Sequence, residues 1–380
     1  MAVMQILTLG GGGAMAAAAL HHLALTTDAE LVVADRAGSS AAARADELGA
    51  GRAQALKLDL TDSAALTAAL ENADIVLNLA GPYYRFGCDV LEAAISTRTH
   101  YLDICDDPAP TLAMLDLHEA AAAAGIIAIV GVGASPGVSN LMARLAADRL
   151  DTVERITTGW PEDPTSEIEG RGEPTAAMVH WVHQCAHPIQ VLETGRLAHV
   201  QPLQKLEIHY PGIGPGWVTT VGHPEAVTLH RAYPTLQDSR NVMVITPALH
   251  DHLERTAELV AAGHSDADAA RDLLQRLRQA DLDAAGPAAD FPWLFALAEG
   301  HLDGTPAAVG ARLAAYPPGG MAGITGIPLA IATRLVASGT IDTVGVHPPE
   351  TSVPPKAFFD ELVAWCPGPT SADELITISF

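Results

Sequence analysis

A regular beat of short apolar runs and helix-period segments fills residues 4–132, and it leaves few folds open. Runs of β-branched and aliphatic residues at Met4–Leu9, Glu30–Ala34, Ala53–Leu58, Ala73–Leu79, Thr99–Ile104 and Ile126–Val132 predict strands. The segments between them, Ala14–Leu25, Ser39–Leu48, Ser63–Leu70, Asp89–Ser96 and Pro110–Ala124, predict helices. Strands that are apolar throughout are covered on both faces, and β–α–β alternation then requires a parallel sheet with helices above and below. The expected class is α/β with a doubly wound parallel sheet.

The first turn of this pattern carries chemistry. In LTLGGGGAMAAAAL, Gly11, Gly13 and Ala16 stand in a G-x-G-x-x-A pattern directly after the first strand, with Ala14 and Met15 opening the helix. Gly11 is expected to allow the tight turn and Gly13 to let a pyrophosphate approach the backbone. Ala16 is expected to let helix and strand pack closely, while the helix N-terminus offers unpaired N–H donors to the phosphates. Asp35, at the end of the second strand, is placed to accept hydrogen bonds from an adenosine ribose. Its carboxylate disfavours a 2′-phosphate, so the expected cofactor is NAD(H) over NADP(H), although the adjacent Arg36 offers a cation.

Charge and cysteine usage remove whole classes of partner. With 21 basic against 45 acidic residues the chain carries a net charge of −24, which repels nucleic acid and anionic membrane faces. Four scattered cysteines form no CxxC pair and fit a reducing cytoplasm. The uncharged stretches Ala120–Ser139 and Pro317–Thr333 are interrupted by Gly and Pro and read as helix–turn pieces, not spans. MAVMQILTLGGGG lacks a basic leader and runs straight into a strand, so no signal peptide is expected.

Several longer segments resemble those of the saccharopine dehydrogenase-like oxidoreductases. They are NLAGPYYRFG (Asn78–Gly87), THYLDICDD (Thr99–Asp107), VGVGASPGVSNLMA (Val130–Ala143), GGMAGITGIPLAIATRLVASGTIDTVGVHPPE (Gly319–Glu350) and FFDEL (Phe358–Leu362). The resemblance implies a Rossmann domain over 1–137 and 319–346. It implies a second α+β substrate and dimerisation domain over 138–318 and 347–380, and a homodimer. It implies NAD(P)-dependent chemistry at a C–N bond of a small amine, amino acid or polyamine. A carbonyl or enoyl reductase of a lipid-like substrate and a non-catalytic dinucleotide-binding regulator are the alternatives. In the second half, alternation at Val153–Trp160, Leu203–Tyr210 and Asn241–Thr246 predicts strands, and Leu253–Leu313 reads as helices.

Ligands of a doubly wound sheet bind at the carboxyl ends of its strands. The expected cofactor contacts there are Asp59, Leu79, Ala80, Gly81, Pro82, Ala134 and Ser135, besides the first turn, Asp35 and Arg36. Asp103, at the end of the fifth strand, and Tyr101 are the expected proton-handling pair, because burial lifts a carboxyl toward a useful pKa. Tyr83 is expected to face substrate. Arg171 and Arg231 are the expected clamps for a substrate carboxylate, since a guanidinium binds one through two hydrogen bonds. His180, His183 and His187 share a helical face; His183 is a candidate proton carrier, and without an HExxH pattern no metal is expected.

Overall fold

The structure, a computed structural model, describes residues 3–49, 51–162, 164–165, 168, 172–280 and 290–380. The chain divides into two compact units, Met1–Leu141 with Ala314–Ile376, and Met142–Leu313 with Thr377–Phe380.

In the first unit the strands are β1 (Gln5–Leu9), β2 (Glu30–Asp35), β3 (Ala53–Lys57), β4 (Ile75–Asn78), β5 (His100–Asp103) and β6 (Ile127–Ile129). They alternate with α1 (Ala14–Thr26), α2 (Gly38–Glu47), α3 (Ser63–Leu70), α4 (Tyr83–Thr97), α5 (Pro108–Leu115) and α6 (His118–Ala124). The sheet order is β6-β5-β4-β1-β2-β3, every pair parallel, with Gly345–His347 added as a seventh strand beside β6. Ile6, Leu9, Val33, Val76 and Leu77 are buried at the centre, so the central strands meet helices on both faces. The Asp62 carboxylate accepts the Ala65 N–H at 3.0 Å and caps α3, while Gly125 takes φ 75° and stops α6.

Two helices differ from expectation. The single helix expected over Pro110–Ala124 breaks at Leu117, whose N–H bonds to the Met114 carbonyl in a tightened turn. The helix expected from Asp89 already begins at Tyr83, because Gly87 is an interior position facing Met114, where an added Cβ would lie 3.1 Å from the sulfur.

The helix Gly320–Ala337 also belongs to this unit. Among the described residues it is the one helix long and apolar enough to cross a membrane, and 72% of that window is buried within the protein. Its Gly326 sits against α1 so closely that a Cβ would collide with the Met15 carbonyl oxygen. Residues 347–376, expected in the second domain, lie instead in the first unit: Trp365 stacks on the buried His22 of α1 at 4.3 Å, and Glu361 pairs with Arg334 at 3.0 Å.

The second unit is built on a nine-stranded mixed sheet. Its strands are β7 (Thr152–Pro161), β8 (Ile189–Glu193), β9 (Arg196–Val200), β10 (Lys205–Tyr210), β11 (Gly214–Val221), β12 (Asp238–Val244), β13 (Phe295–Leu302) and β14 (Thr305–Leu313). The order is β10-β11-β12-β7-β13-β14, followed by Ile376–Ser379, with the β8/β9 hairpin attached to β12. The helices Ala176–Ala186, Pro247–Ala261 and Asp266–Leu277 share one apolar cluster that includes Val182, Leu253, Ala270 and Leu273. Among the described residues, the helical reading of Leu253–Leu313 holds to Leu277 and gives way to strand at Phe295. The β13/β14 hairpin lacks visible alternation because Ala296, Leu297, Ala298 and Ala311 are all buried, so neither face of the ribbon is polar.

Candidate functional site

The glycine turn leaves β1 at Gly10, which takes φ 70° and closes the bend. The tight-turn role expected of Gly11 thus falls one residue earlier. Gly11 serves close packing instead: its N–H bonds to Ala34 of β2 at 2.9 Å, and a Cβ would stand 2.5 Å from Val33. Gly13 caps α1, and its own N–H bonds back to Gly10 at 3.0 Å. Ala16 is buried, as close helix–strand packing requires. The first N–H groups of α1 have no side-chain cap, which leaves donors for an anion.

Beside this turn lies a cavity of about 620 Å³, wholly within the first unit. Gly10, Gly13, Asp35, Arg36, Asp59, Leu79, Ala80, Gly81 and Pro82 line it, which brings together most of the expected cofactor contacts. Gly11, Ala14 and Met15 belong to the turn and helix behind it, and Ala134 and Ser135 lie outside this lining. Arg85 and Phe86 also line the cavity, and the Arg85 guanidinium lies 4.9 Å over the Phe86 ring. Arg85 was legible in NLAGPYYRFG yet escaped notice, because one arginine in a helix carries no pattern of its own. Asp59 accepts the Thr61 N–H and hydroxyl at 3.0 and 2.8 Å, and these bonds, with Arg36 and Arg85 nearby, hold its carboxyl below the usual range.

Next to the cavity, three strand ends are tied to one carboxylate. Asp103 is fully buried; its Oδ1 accepts the Gly131 and Cys105 N–H groups at 2.6 and 3.1 Å, and its Oδ2 accepts the Tyr101 hydroxyl at 2.7 Å. The Asn78 amide donates to the Tyr101 oxygen at 3.1 Å, and the Tyr83 hydroxyl donates to the Asn78 carbonyl at 2.9 Å. Burial pushes the Asp103 pKa up to about 6, against the lowering pull of Tyr101, Gly131 and Cys105. The pKa rises as expected, but the role changes. Asp103 and Tyr101 are both 0% exposed, which fits a frame that fixes the loops after β4, β5 and β6 better than a group meeting substrate. Tyr83 is corrected in the same way, since its hydroxyl is engaged by backbone and its ring is buried. Ser139 and Asn140 are likewise buried, and Asn140 donates to Glu350 at 2.8 Å.

Other expected residues lie in the second unit. Arg231 is exposed and ends a short 3₁₀ turn, Leu229–Arg231. Arg171 lies outside the described residues. His183, on the helix Ala176–Ala186, bonds to Asp266 at 2.8 Å and is half exposed. A buried pair without a signature in the sequence is His223 with Glu225, 3.0 Å apart and 6% and 0% exposed.

Residues 6–129 match the family model of the saccharopine dehydrogenase NADP binding domain. With the strand order, glycine turn and cavity already assigned to that stretch, the match identifies the kind of domain it forms. That stretch is similar to the NADP binding domain of the saccharopine dehydrogenases.

Its curated relatives are saccharopine dehydrogenases [NADP(+), L-glutamate-forming]. The one from Schizosaccharomyces pombe is 31% identical over 153 residues, which is 40% of this chain and 31% of the relative. The one from Saccharomyces cerevisiae is 31% identical over 140 residues, 37% of this chain and 30% of the relative. The similar stretch thus spans under a third of either enzyme. The solved structure of apo histidine-tagged saccharopine dehydrogenase (L-Glu forming) from Saccharomyces cerevisiae aligns with a TM-score of 0.64 over 95% of this chain and 97% of that one. At 19% identity this establishes a shared saccharopine dehydrogenase fold, second unit included.

These matches overturn the expected preference for NAD(H). The matching domain is an NADP-binding one, and both relatives are NADP(+) enzymes. The expectation rested on Asp35 repelling a 2′-phosphate, but each Asp35 oxygen is already engaged in the turn: Oδ2 accepts the Gly12 N–H at 3.2 Å and Oδ1 the Ala37 N–H at 2.9 Å. Arg36, next in sequence, lines the cavity with Arg85. These residues fit a dinucleotide carrying an additional phosphate: a glycine cradle that a Cβ at Gly12 would fill, 2.7 Å from Ser40, and two guanidiniums at the cavity.

Proposed function

We propose that this protein is an NADP(H)-dependent oxidoreductase acting on a C–N bond of a small amino-acid- or polyamine-like substrate. The observation that carries the reading is the glycine turn of a saccharopine dehydrogenase-type domain beside a cavity lined by Arg36 and Arg85. When bound, the nicotinamide supplies or takes up hydride. The residues of this chain do the rest. The N–H groups at the start of α1 hold the diphosphate, and Arg36 and Arg85 hold the added phosphate through charge-assisted hydrogen bonds. Leu79, Ala80 and Pro82 cover the cofactor and exclude water. Asp103, through Tyr101, Gly131 and Cys105, positions the loops that carry these contacts.

Arg231 and Arg171 are the proposed clamps for a substrate carboxylate, and His183 the proposed proton carrier. Four free cysteines support a reducing, cytoplasmic setting. A homodimer completes the proposal, and sedimentation of the purified chain tests it.

A screen following nicotinamide absorbance, with amino acids or polyamines paired with 2-oxo acids or aldehydes, tests the reaction class. NADPH consumption that requires both an amine and a carbonyl partner is the expected result. Turnover of a ketone or enoyl compound without any amine, or tight nucleotide binding without turnover, would contradict it.

A further inference from the structure

The histidine face seen in the sequence acquires a third donor in the fold. The helix Ala176–Ala186 presents His183, and His187 ends it as the C-cap residue one turn later. Their rings lie 4.4 Å apart, tilted by 36°. Both point at Asp266, the first residue of the helix Asp266–Leu277: His183 Nδ1 lies 2.8 Å from Oδ2 and His187 Nε2 lies 2.8 Å from Oδ1. All three donor groups lie within 4.8 Å of one another.

We propose that His183, His187 and Asp266 form a binding site for a divalent transition metal of the zinc class, and an ion on His183 would replace the proton-carrier role proposed for it above. A zinc ion with bonds of about 2 Å to two imidazoles and one carboxylate holds its ligand atoms roughly 3.3 Å apart, so each histidine–carboxylate contact, now 2.8 Å, needs to lengthen by about half an ångström. The imidazole nitrogens facing Asp266 must present lone pairs, which neutral histidine does by carrying its proton on the opposite ring nitrogen. Both side chains are about half exposed, which gives the ion a path in.

The donor set selects the metal. Two nitrogens and one carboxylate suit zinc, nickel or copper; calcium and magnesium require oxygen-rich cages. The neighbouring acids are engaged elsewhere, Asp268 by Ser265 and Arg271, and Glu173 by Arg271. Asp266, by contrast, has these two histidines as its ion-pair partners among the described residues. The backbone beneath is fixed, because Val182 on one helix and Ala269 and Ala270 on the other are buried in one apolar cluster. Three protein ligands leave a coordination position for water, and the ion would act as a clamp between the two helices.

Calorimetric titration of the untagged full chain with zinc chloride tests the site against His183→Gln, His187→Gln and Asp266→Asn. One equivalent should bind the wild type about tenfold or more tighter than any variant, and zinc should raise the melting temperature of the wild type alone. Equal stoichiometry and affinity in all four chains would overturn the proposal. Cobalt(II) on the wild-type chain gives a readout that needs no variant: intense visible absorption of a tetrahedral site is expected, and the weak absorption of the hydrated ion would overturn it.

Discussion

The Asp35 carboxylate accepts the backbone N–H of Gly12 at 3.2 Å, across the mouth of the glycine turn. The acid at the end of β2 is therefore part of the turn, and in the proposed reading the side chain after it, Arg36, is the one that would meet an additional phosphate. Replacing Arg36 by Ala should raise the KM for NADPH about tenfold or more, the worth of a charged hydrogen bond, and leave that for NADH within about twofold. Steady-state kinetics with both cofactors checks the split. Arg85→Ala should move in the same direction.

A second prediction concerns packing. Gly326 lets the helix Gly320–Ala337 approach α1 to backbone contact. Gly326→Val has to force the helices apart and should destabilise the chain by about 2 kcal/mol or more, read as a lower urea midpoint.

Asp103 predicts a pH dependence. Its carboxyl, ordinarily near 3.8, is lifted to about 6 by burial, so between these values the folded state holds a proton that the unfolded chain releases. Stability from this group is fully present below pH 3.8 and is lost as pH rises through about 6, a change of about 3 kcal/mol. Asp103→Asn keeps an oxygen for Gly131 and Cys105 and should flatten that slope. Denaturation midpoints across this range, wild type against variant, measure it.

His22 acts in the opposite sense. Burial first, then Arg334 and His21, hold its pKa down to about 4 from 6.5. Its contribution is present above pH 6.5 and is lost as pH falls through about 4. His22→Phe keeps a ring against Trp365 and removes this term, so its stability should decline less than that of the wild type on acidification.

The first unit was readable from sequence because its strands are buried on both faces and its turns are marked by Gly, Asp and Pro. The glycine turn, Asp35 and the loop Leu79–Pro82 were found for that reason. Alternation failed where alanine fills both faces, as in β13 and β14, and Gly87 passed for a helix boundary because sequence does not reveal that it faces Met114. The site was legible only in part. Asp103 could be placed at a strand end, but the Gly131 N–H that closes on its buried carboxylate comes from 28 residues further along the chain. The cofactor preference failed on a similar point: the sequence displays the Asp35 carboxylate but not its two backbone partners.

The account rests on the glycine turn holding an NADP-type dinucleotide. Calorimetric titration of the chain with NADPH, with NADH and Gly13→Val as controls, tests this most directly. One NADPH per chain, at least about tenfold tighter than NADH and lost in the variant, is the predicted result. Absence of NADPH binding, or equal affinity for NADPH in the wild type and Gly13→Val, would contradict it.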